Sequence, residues 1–127
     1  MHELSLALGI VDAVSAAARR AGAVRVLRIK VRIGVLSGVV ADALRFGFDV
    51  ASRGTVVAEA ALDLEVVPVS IWCPACAAEV RPVTELRLQC PDCGLPSGEI
   101  RRGRELEVAE MEIDDGVPAG AGTGGPR

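Results

Sequence analysis

Four cysteines, arranged as two short pairs, are the residues of this 127-residue chain best suited to chemistry. Cys73 and Cys76 enclose Pro-Ala, Cys90 and Cys93 enclose Pro-Asp, and thirteen residues separate the two pairs. Two residues between thiolates let a tight turn place both sulfurs on one edge of a tetrahedron, about 2.3 Å from a zinc ion. Gly94 follows the second pair, where a positive φ would let backbone N–H groups point at the sulfurs. The spacing therefore predicts one metal ion held by four thiolates.

This ion is expected to be structural, because four thiolates leave no open coordination position for a reaction. The cysteine segment has too few apolar side chains to fold by itself, and a structural zinc contributes about 10–16 kcal/mol to folding such a segment. Iron is an alternative, since tetrahedral sulfur coordination suits either metal. A redox site of the Trp-Cys-x-x-Cys kind is not expected: it needs its first cysteine at the start of a helix, and the residues after Cys76 lack a helical period.

A second chemical signal is His2, the one histidine of the chain. A metal bound by the α-amine, the His2 amide nitrogen and the imidazole closes fused chelate rings, and this nitrogen-rich planar geometry favours Ni(II) or Cu(II). Glu3 is the expected additional ligand, through its side chain or its backbone. Protons compete for the amine and the imidazole, so affinity is expected to fall on acidification. The alternative is a solvated terminal histidine, and residue type alone does not decide between the two.

The elements that position these residues follow from apolar periodicity. Apolar residues at i, i+4 and i+7 predict an amphipathic helix over 3–21, ended by Gly22, and a strand with one charged face is predicted over 24–33. A second helix is predicted over 41–53, with Ser37 as its candidate cap. Two more strands are expected, over 62–66 and over 105–113, and in the latter the alternation slips once near Ala109, which indicates a β-bulge.

These elements predict an α+β fold: a small three-stranded sheet covered by two helices, with the four-cysteine zinc ribbon inserted into it. Residues 70–99 form the insertion, because a lone strand over 105–113 would be unstable unless it returned to the first sheet. The acidic residues of the later strands are expected opposite Arg28, Lys30 and Arg32 on the solvent face. The segment 115–127 holds five glycines and two prolines and is predicted to be a disordered tail.

Composition excludes several classes of protein. The longest uncharged stretch has thirteen residues and contains two prolines, short of the ~18 apolar residues that a membrane span needs. No basic region precedes an apolar stretch at the N-terminus, so a cytoplasmic location is expected. The sequence has no Gly-x-x-x-x-Gly-Lys phosphate loop and no nucleophile–base set, so the chain is not expected to be an enzyme, and any nucleotide hydrolysis must belong to a partner.

Several ordered motifs together resemble the HypA/HybF family of hydrogenase nickel-incorporation proteins over residues 1–114. The motifs are Met1-His2-Glu3 at the start of a helix, Arg-Ile-x-Val-x-Ile-Gly in the first strand, Leu44-Arg45-Phe46-x-Phe48-Asp49, Gly54-Thr55, the two Cys-Pro-x-Cys pairs and a final Glu-Met-Glu-Ile strand. The specificity of the resemblance comes from the combination and its order, since Met-His-Glu alone would be trivial.

The resemblance implies a metallochaperone that receives nickel and delivers it to the large subunit precursor of nickel–iron hydrogenase together with a GTPase accessory protein. It implies His2 as the nickel ligand with Glu3 beside it, and structural zinc on the four cysteines. Residues 1–69 and 100–114 would form the nickel-binding domain, and residues 70–99 the zinc-ribbon domain.

The chain departs from the family pattern in two places. Several relatives have an acidic residue near the nickel where this chain has Val40, with Asp42 two residues later, so whether Asp42 contributes to the nickel site is open. Some relatives also have histidines beside their cysteine pairs, where this chain has Ala77 and Gly94.

Two other functions compete with a nickel carrier: a zinc-ribbon module that contacts nucleic acid or a transcription complex, and a scaffolding adaptor whose only metal is zinc. The formal charge of −3 becomes −5 once one zinc replaces four thiol protons, and aromatic residues make up only 2% of the chain. Both facts disfavour nucleic acid. Exposed ribbon edges leave a domain-swapped homodimer open.

Overall fold

A computed structural model describes residues 2–116 of the chain. Two helices and six strands follow one another along the sequence, with a short 3-10 turn over Val35–Ser37. In chain order they are α1 His2–Arg20, β1 Arg25–Gly34, α2 Ala41–Ala51, β2 Ala61–Val67, β3 Ser70–Cys73, β4 Ala78–Val80, β5 Ile100–Arg102 and β6 Leu106–Asp114. The predicted α+β fold is confirmed. Most of the tail predicted over 115–127 lies outside the described residues.

The first sheet has the strand order β2-β1-β6, with β1 parallel to β2 and antiparallel to β6. The predicted return of the last long strand to the first sheet is therefore confirmed. Lys30 pairs with Glu110 and Val31 with Val108, which leaves Ala109 as the extra residue of the expected bulge. A second irregularity at Leu27, which the sequence analysis did not predict, separates the buried residues Val26 and Ile29 by three positions.

Both helices cover one face of this sheet and close an aliphatic core. The buried core residues are Ala7, Ile10, Val11, Val14, Ala18, Val26, Ile29, Val31, Ile33, Leu44, Phe48 and Val57. Helix α1 ends at Arg20, one residue before its predicted end. The predicted stop residue Gly22 follows with a φ of 74°, a conformation that glycine adopts without a Cβ clash. Ser37 does not cap α2: the N-cap position is Val40, and the Ser37 hydroxyl instead accepts the N–H of Val39 at 3.2 Å.

The other face of the sheet carries the expected cross-strand ion pairs. The Arg28 guanidinium contacts Asp63 at 2.9 Å and Glu110 at 3.3 Å. The Lys30 ammonium lies 3.3 Å from Glu65. Because these side chains are partly exposed, each pair contributes only about 0.2–1 kcal/mol. The main effect of these ion pairs is to fix which face of the sheet is exposed to solvent.

The second sheet, in the order β4-β3-β5, holds the cysteine segment. Strand β5 belongs to this sheet, because Ser70 pairs with Arg102 and Ile71 with Ile100; the sequence predicted no strand here and assigned residues 100–102 to the nickel-binding domain. The chain returns to the first sheet through Gly103, whose φ is 117°. The N–H of Leu36 donates to the Gly103 carbonyl at 2.6 Å, and that of Gly34 to the Glu105 carbonyl at 2.7 Å.

The end of β1 touches this return segment so closely that only glycine fits. A Cβ at Gly34 would overlap the carbonyl group of Gly103 and lie 2.5 Å from the Arg104 nitrogen. Both neighbours are backbone atoms, which cannot move aside as a side chain would. A Cβ at Gly9, in the middle of α1, meets nothing within 4 Å.

Replacing Gly34 with alanine is expected to lower the free energy of unfolding by about 1–3 kcal/mol, the usual cost of overpacking. Gly9→Ala is the matched control and should raise it by up to about 1 kcal/mol, because alanine favours a helix. Urea unfolding of both metal-loaded variants measures the difference. A Gly34→Ala protein as stable as the parent would contradict the close approach.

The stability of the sheet should depend on pH through Glu65. The Lys30 ammonium, followed by Arg32, holds the pKa of the Glu65 carboxyl below its ordinary value of 4.5, against a smaller opposing effect of burial. The stabilisation of the folded state by the Glu65 carboxylate is complete above the pKa of this group in the unfolded chain. It is lost as pH falls through the lower pKa of Glu65 in the folded protein. Below about pH 5, the melting temperature of Glu65→Gln should fall less than that of the parent. Glu85→Gln, in the ribbon, is the control and should follow the parent.

Candidate metal centre

The four cysteines lie on two tight turns, one between β3 and β4 and the other in the connection from β4 to β5. Cys73 ends β3, and β4 begins two residues after Cys76. In the first turn the N–H of Ala77 donates to the Pro74 carbonyl at 3.3 Å, and in the second the N–H of Gly94 donates to the Cys90 carbonyl at 2.9 Å. Each turn is left through a residue with positive φ, 52° at Ala77 and 80° at Gly94. From the sequence a positive φ was predictable only at Gly94, because an alanine does not indicate that conformation.

The turns bring all four sulfurs together. Every pair of Sγ atoms lies within 4.8 Å, with 3.5 Å between Cys73 and Cys93 and 3.9 Å between Cys76 and Cys90. A tetrahedral metal with bonds of about 2.3 Å to sulfur needs edges of about 3.8 Å. All four are free thiols, two buried and two exposed. The donor set therefore fits one tetrahedral ion and leaves no position for a substrate.

The electrostatics of the cluster favour binding a cation. The backbone N–H of Cys93, and after it that of Asp92, lower the pKa of the Cys90 thiol to about 7. The thiols of Cys73, Cys90 and Cys93 raise the pKa of Cys76 to about 12. Thiolates this close repel one another, so the cluster loses its last protons only when a metal takes their place. Metal affinity is therefore expected to fall as pH falls.

Contacts around the cluster hold the turns in place. The Gln89 side-chain amide donates to the Gly94 carbonyl at 2.6 Å, and the Ser97 hydroxyl donates to the Trp72 carbonyl at 2.6 Å. The Arg101 guanidinium lies 4.7 Å from the centroid of the Trp72 ring, a cation–π contact. Strands, not a helix, flank the first cysteine pair, as expected for a site that is not a thiol redox centre.

The other predicted site residues lie at the start of α1. The His2 side chain is 69% exposed, and its Nε2 lies 3.2 Å from Oε2 of Glu3, whose side chain is only 16% exposed. The same Glu3 oxygen accepts the N–H of Val40 at 3.3 Å. This hydrogen bond holds the pKa of the Glu3 carboxyl below its ordinary value. Both contacts use Oε2, which leaves Oε1 outside them.

Gly47 brings α2 against this first turn, a role that the sequence analysis missed. A Cβ at Gly47 would lie 3.3 Å from the Glu3 carbonyl oxygen and 3.3 Å from the Cα of Leu4. The one available signal was a glycine inside an otherwise helical pattern. Asp42 lies in the first turn of α2 and is exposed. Within residues 2–116, the four cysteines are the one group of three or more His, Cys, Asp or Glu side chains close enough to share an ion.

Comparison with known proteins assigns the chain to a family. A family profile described as "Hydrogenase/urease nickel incorporation, metallochaperone, hypA" matches residues 1–113. The chain belongs to the HypA family. The resemblance stated from the sequence motifs is thereby confirmed. So is the prediction that the chain is not an enzyme, because this family consists of metallochaperones that serve nickel incorporation.

Relatives and solved structures agree with this family. The hydrogenase maturation factor HypA of Chloroflexus aggregans is 50% identical over 112 residues, which cover 88% of this chain and 98% of the relative. That of Streptomyces avermitilis is 41% identical over 117 residues, which cover 91% and 89%. The solution structure of the Ni metallochaperone HypA from Helicobacter pylori has a TM-score of 0.64 at 21% identity, covering 88% of this chain and 97% of that one. A second HypA solution structure has a TM-score of 0.69 at 22% identity, with coverage of 91% and 98%.

No helix within residues 2–116 combines the length and apolar character needed to cross a membrane.

Replacing Cys90 with serine should remove one of four thiolate ligands and weaken binding of the probe ion Co(II) by more than about 100-fold. The change is read from the sulfur-to-cobalt absorption band. The far-UV circular dichroism of the helices should persist, because the helix–sheet core contains no ribbon residue. Asp92→Asn, in the same turn but without a sulfur ligand, is the control. Unchanged cobalt binding by Cys90→Ser would contradict the four-sulfur site.

Proposed function

We propose that this chain carries Ni(II) at its N-terminus and delivers it to the hydrogenase large subunit precursor. The observation that carries the proposal is the match of residues 1–113 to a family of nickel-incorporation metallochaperones, together with an exposed imidazole at His2. In a chain whose first residue is Met1, the amine, the His2 amide and the imidazole supply three nitrogens for a planar nickel site. Such a site is open to solvent and can pass its ion on.

Glu3 would orient this site. Its carboxylate is held by the Val40 N–H and lies beside the His2 imidazole. This arrangement limits how far the first turn can move relative to α2. Because Oε1 takes part in neither contact, Glu3 can supply an oxygen ligand without losing its hydrogen bond to Val40. Asp42 is a weaker candidate, since it is not grouped with His2 and Glu3 within the described residues.

The four cysteines would hold a structural Zn(II). The four sulfurs fit the corners of a tetrahedron, which supports this assignment. Zinc is the usual ion in tetrahedral four-cysteine sites of this kind. Because this site is closed, the ion that shapes the ribbon stays apart from the ion that is carried.

Transfer of nickel would require two partners. One is the hydrogenase large subunit precursor, which receives the ion. The other is a GTPase accessory protein, which the resemblance to this family implies; the sequence of this chain has no phosphate loop with which to hydrolyse a nucleotide itself. We place these exchanges in the cytoplasm, and no nucleic acid takes part in them.

The decisive measurement is a calorimetric titration of Ni(II) into zinc-loaded protein that begins at Met1. About one nickel per chain is expected to bind with micromolar affinity, more weakly as pH falls, because protons compete for the nitrogen ligands. His2→Ala should abolish this binding, and so should two additional residues placed before Met1. Zinc content should be the same in all samples.

Three variants complete this titration. Ser5→Ala, an exposed change in the same helix, should bind nickel as the parent does. Glu3→Gln removes the charge but keeps an acceptor for Val40, so a loss of nickel affinity in this variant assigns Glu3 as a ligand. Asp42→Asn applies the same test to Asp42. Equal nickel uptake by the parent, His2→Ala and the extended chain would rule out the terminal site.

A further inference from the structure

An apolar groove runs between helix α1 and strand β6, and its nearest end to the candidate nickel ligands is Ser5, two residues after Glu3. It consists of two adjoining cavities of about 260 Å³ each, which share Ala13 and Val108. On the helix side the groove is lined by Gly9, Ala13 and Ala17, whose four-residue spacing places them on one face. Small side chains on that face leave the space between helix and strand unfilled. None of the six candidate metal ligands lines it.

The dimensions of the groove suit an extended peptide. The helix side reaches from Ser5 to Ala17, about 18 Å at 1.5 Å per residue. The strand side reaches from Leu106 to Met111, about 17 Å at 3.3–3.4 Å per residue. A β-strand of about six residues has this length.

Strand β6 also offers a free edge beside the groove. In the order β2-β1-β6 it is an outer strand, and within residues 2–116 no other strand pairs with its outer edge. At the opposite edge of the sheet the Arg45 guanidinium donates to the Leu62 carbonyl of β2 at 2.9 Å. Unpaired backbone groups of an edge strand are a template for another strand. A peptide in the groove would therefore gain both hydrogen bonds and apolar burial.

The charges along β6 define which peptide fits. Glu107, Glu110 and Glu112 lie on the solvent face, with side chains 53%, 56% and 65% exposed. Arg28 and Arg32 of β1 approach these carboxylates from one side. A carboxylate accepts several hydrogen bonds, so each retains capacity on its outer side. Toward the groove β6 presents Leu106 and Val108, both about 40% exposed, and Glu107 and Glu110 also border the two cavities.

We propose that this edge binds an extended segment of another protein in which aliphatic and basic residues alternate, adding a strand to β6. The aliphatic side chains would enter the groove against Ala13, and the basic ones would meet the glutamates of β6. A second copy of this chain is a poor occupant, because pairing β6 with itself sets glutamates opposite glutamates. The polyanionic backbone of a nucleic acid is repelled by the same charges.

The test uses a fluorescein-labelled peptide with three Lys-Val repeats as the probe, with the metal-loaded chain as the receptor and anisotropy as the readout. The alternating peptide should bind saturably, and more weakly as salt is raised. A peptide of the same composition with its lysines and valines in two blocks should bind about tenfold more weakly, because it cannot present one residue type to each face. A Glu-Val peptide should not bind.

Variants locate the binding site. Ala13→Leu fills the groove from an exposed position and should weaken binding of the alternating peptide by about tenfold. Ala21→Leu, exposed just beyond the end of α1, is the matched control and should leave binding unchanged. Nickel titration of Ala13→Leu should match the parent, so the outcome is independent of the terminal nickel site. Amide NMR shifts on peptide addition should concentrate at 5–17 and 106–113.

Several results would overturn the proposal. Equal binding of the alternating and block peptides would show charge attraction without strand addition. Undiminished binding by Ala13→Leu would place the peptide elsewhere. If deleting 117–127 raised peptide affinity by more than about tenfold, the occupant would be this chain's own end. If sedimentation showed a dimer that Ala13→Leu dissociates, the occupant would be a second copy.

Discussion

Strand β1 is paired along both of its edges, with β2 on one side and β6 on the other, and the first sheet is built around it. Its buried face receives the aliphatic sides of both helices, while its cations bind carboxylates from the strands on either side. Among residues 2–116, Phe48 has the one buried aromatic ring, so the core is held mainly by contacts between small aliphatic side chains. Its last residue, Gly34, meets the backbone at which the ribbon rejoins the sheet. Strand β1 thus contributes to the buried core, to the ion pairs of the solvent face and to the pairing of both neighbouring strands.

Local patterns predicted most of this fold. The helical period located α1 and α2, and the shift from even to odd apolar positions located the bulge at Ala109, because in a strand each residue points to one side or the other. The ion pairs followed once the order of strands was fixed. Features that depend on distant residues were not predictable, such as the pairing of β5 with β3 and the contact of Gly34 with Gly103. The bulge at Leu27 also shifts the buried positions from even to odd, between Val26 and Ile29, but Leu27 is itself apolar and odd-numbered, so it hides the point of the shift.

At the candidate sites, too, local patterns were predictable from the sequence and contacts between distant residues were not. Cysteine spacing predicted the sulfur cluster because two residues between ligands is itself a geometric constraint. By contrast, the approach of Val40 to Glu3 joins residues 37 positions apart, and the role of Gly47 depends on how two helices cross. Sequence motifs predicted His2 and Glu3 as site residues. The contacts that hold Glu3 in place could be seen only in the folded structure.

The ribbon enters and leaves the first sheet at almost the same point. A Cβ at Gly103 would lie 3.0 Å from the Cα of Val69, so the two ends of the inserted segment are in van der Waals contact. A chain that skipped the ribbon would have almost no gap to span, and one that carried a longer ribbon would impose no strain on the sheet. The two ends of the cysteine segment therefore lie side by side, so a change in the length of that segment need not move the strands of the first sheet.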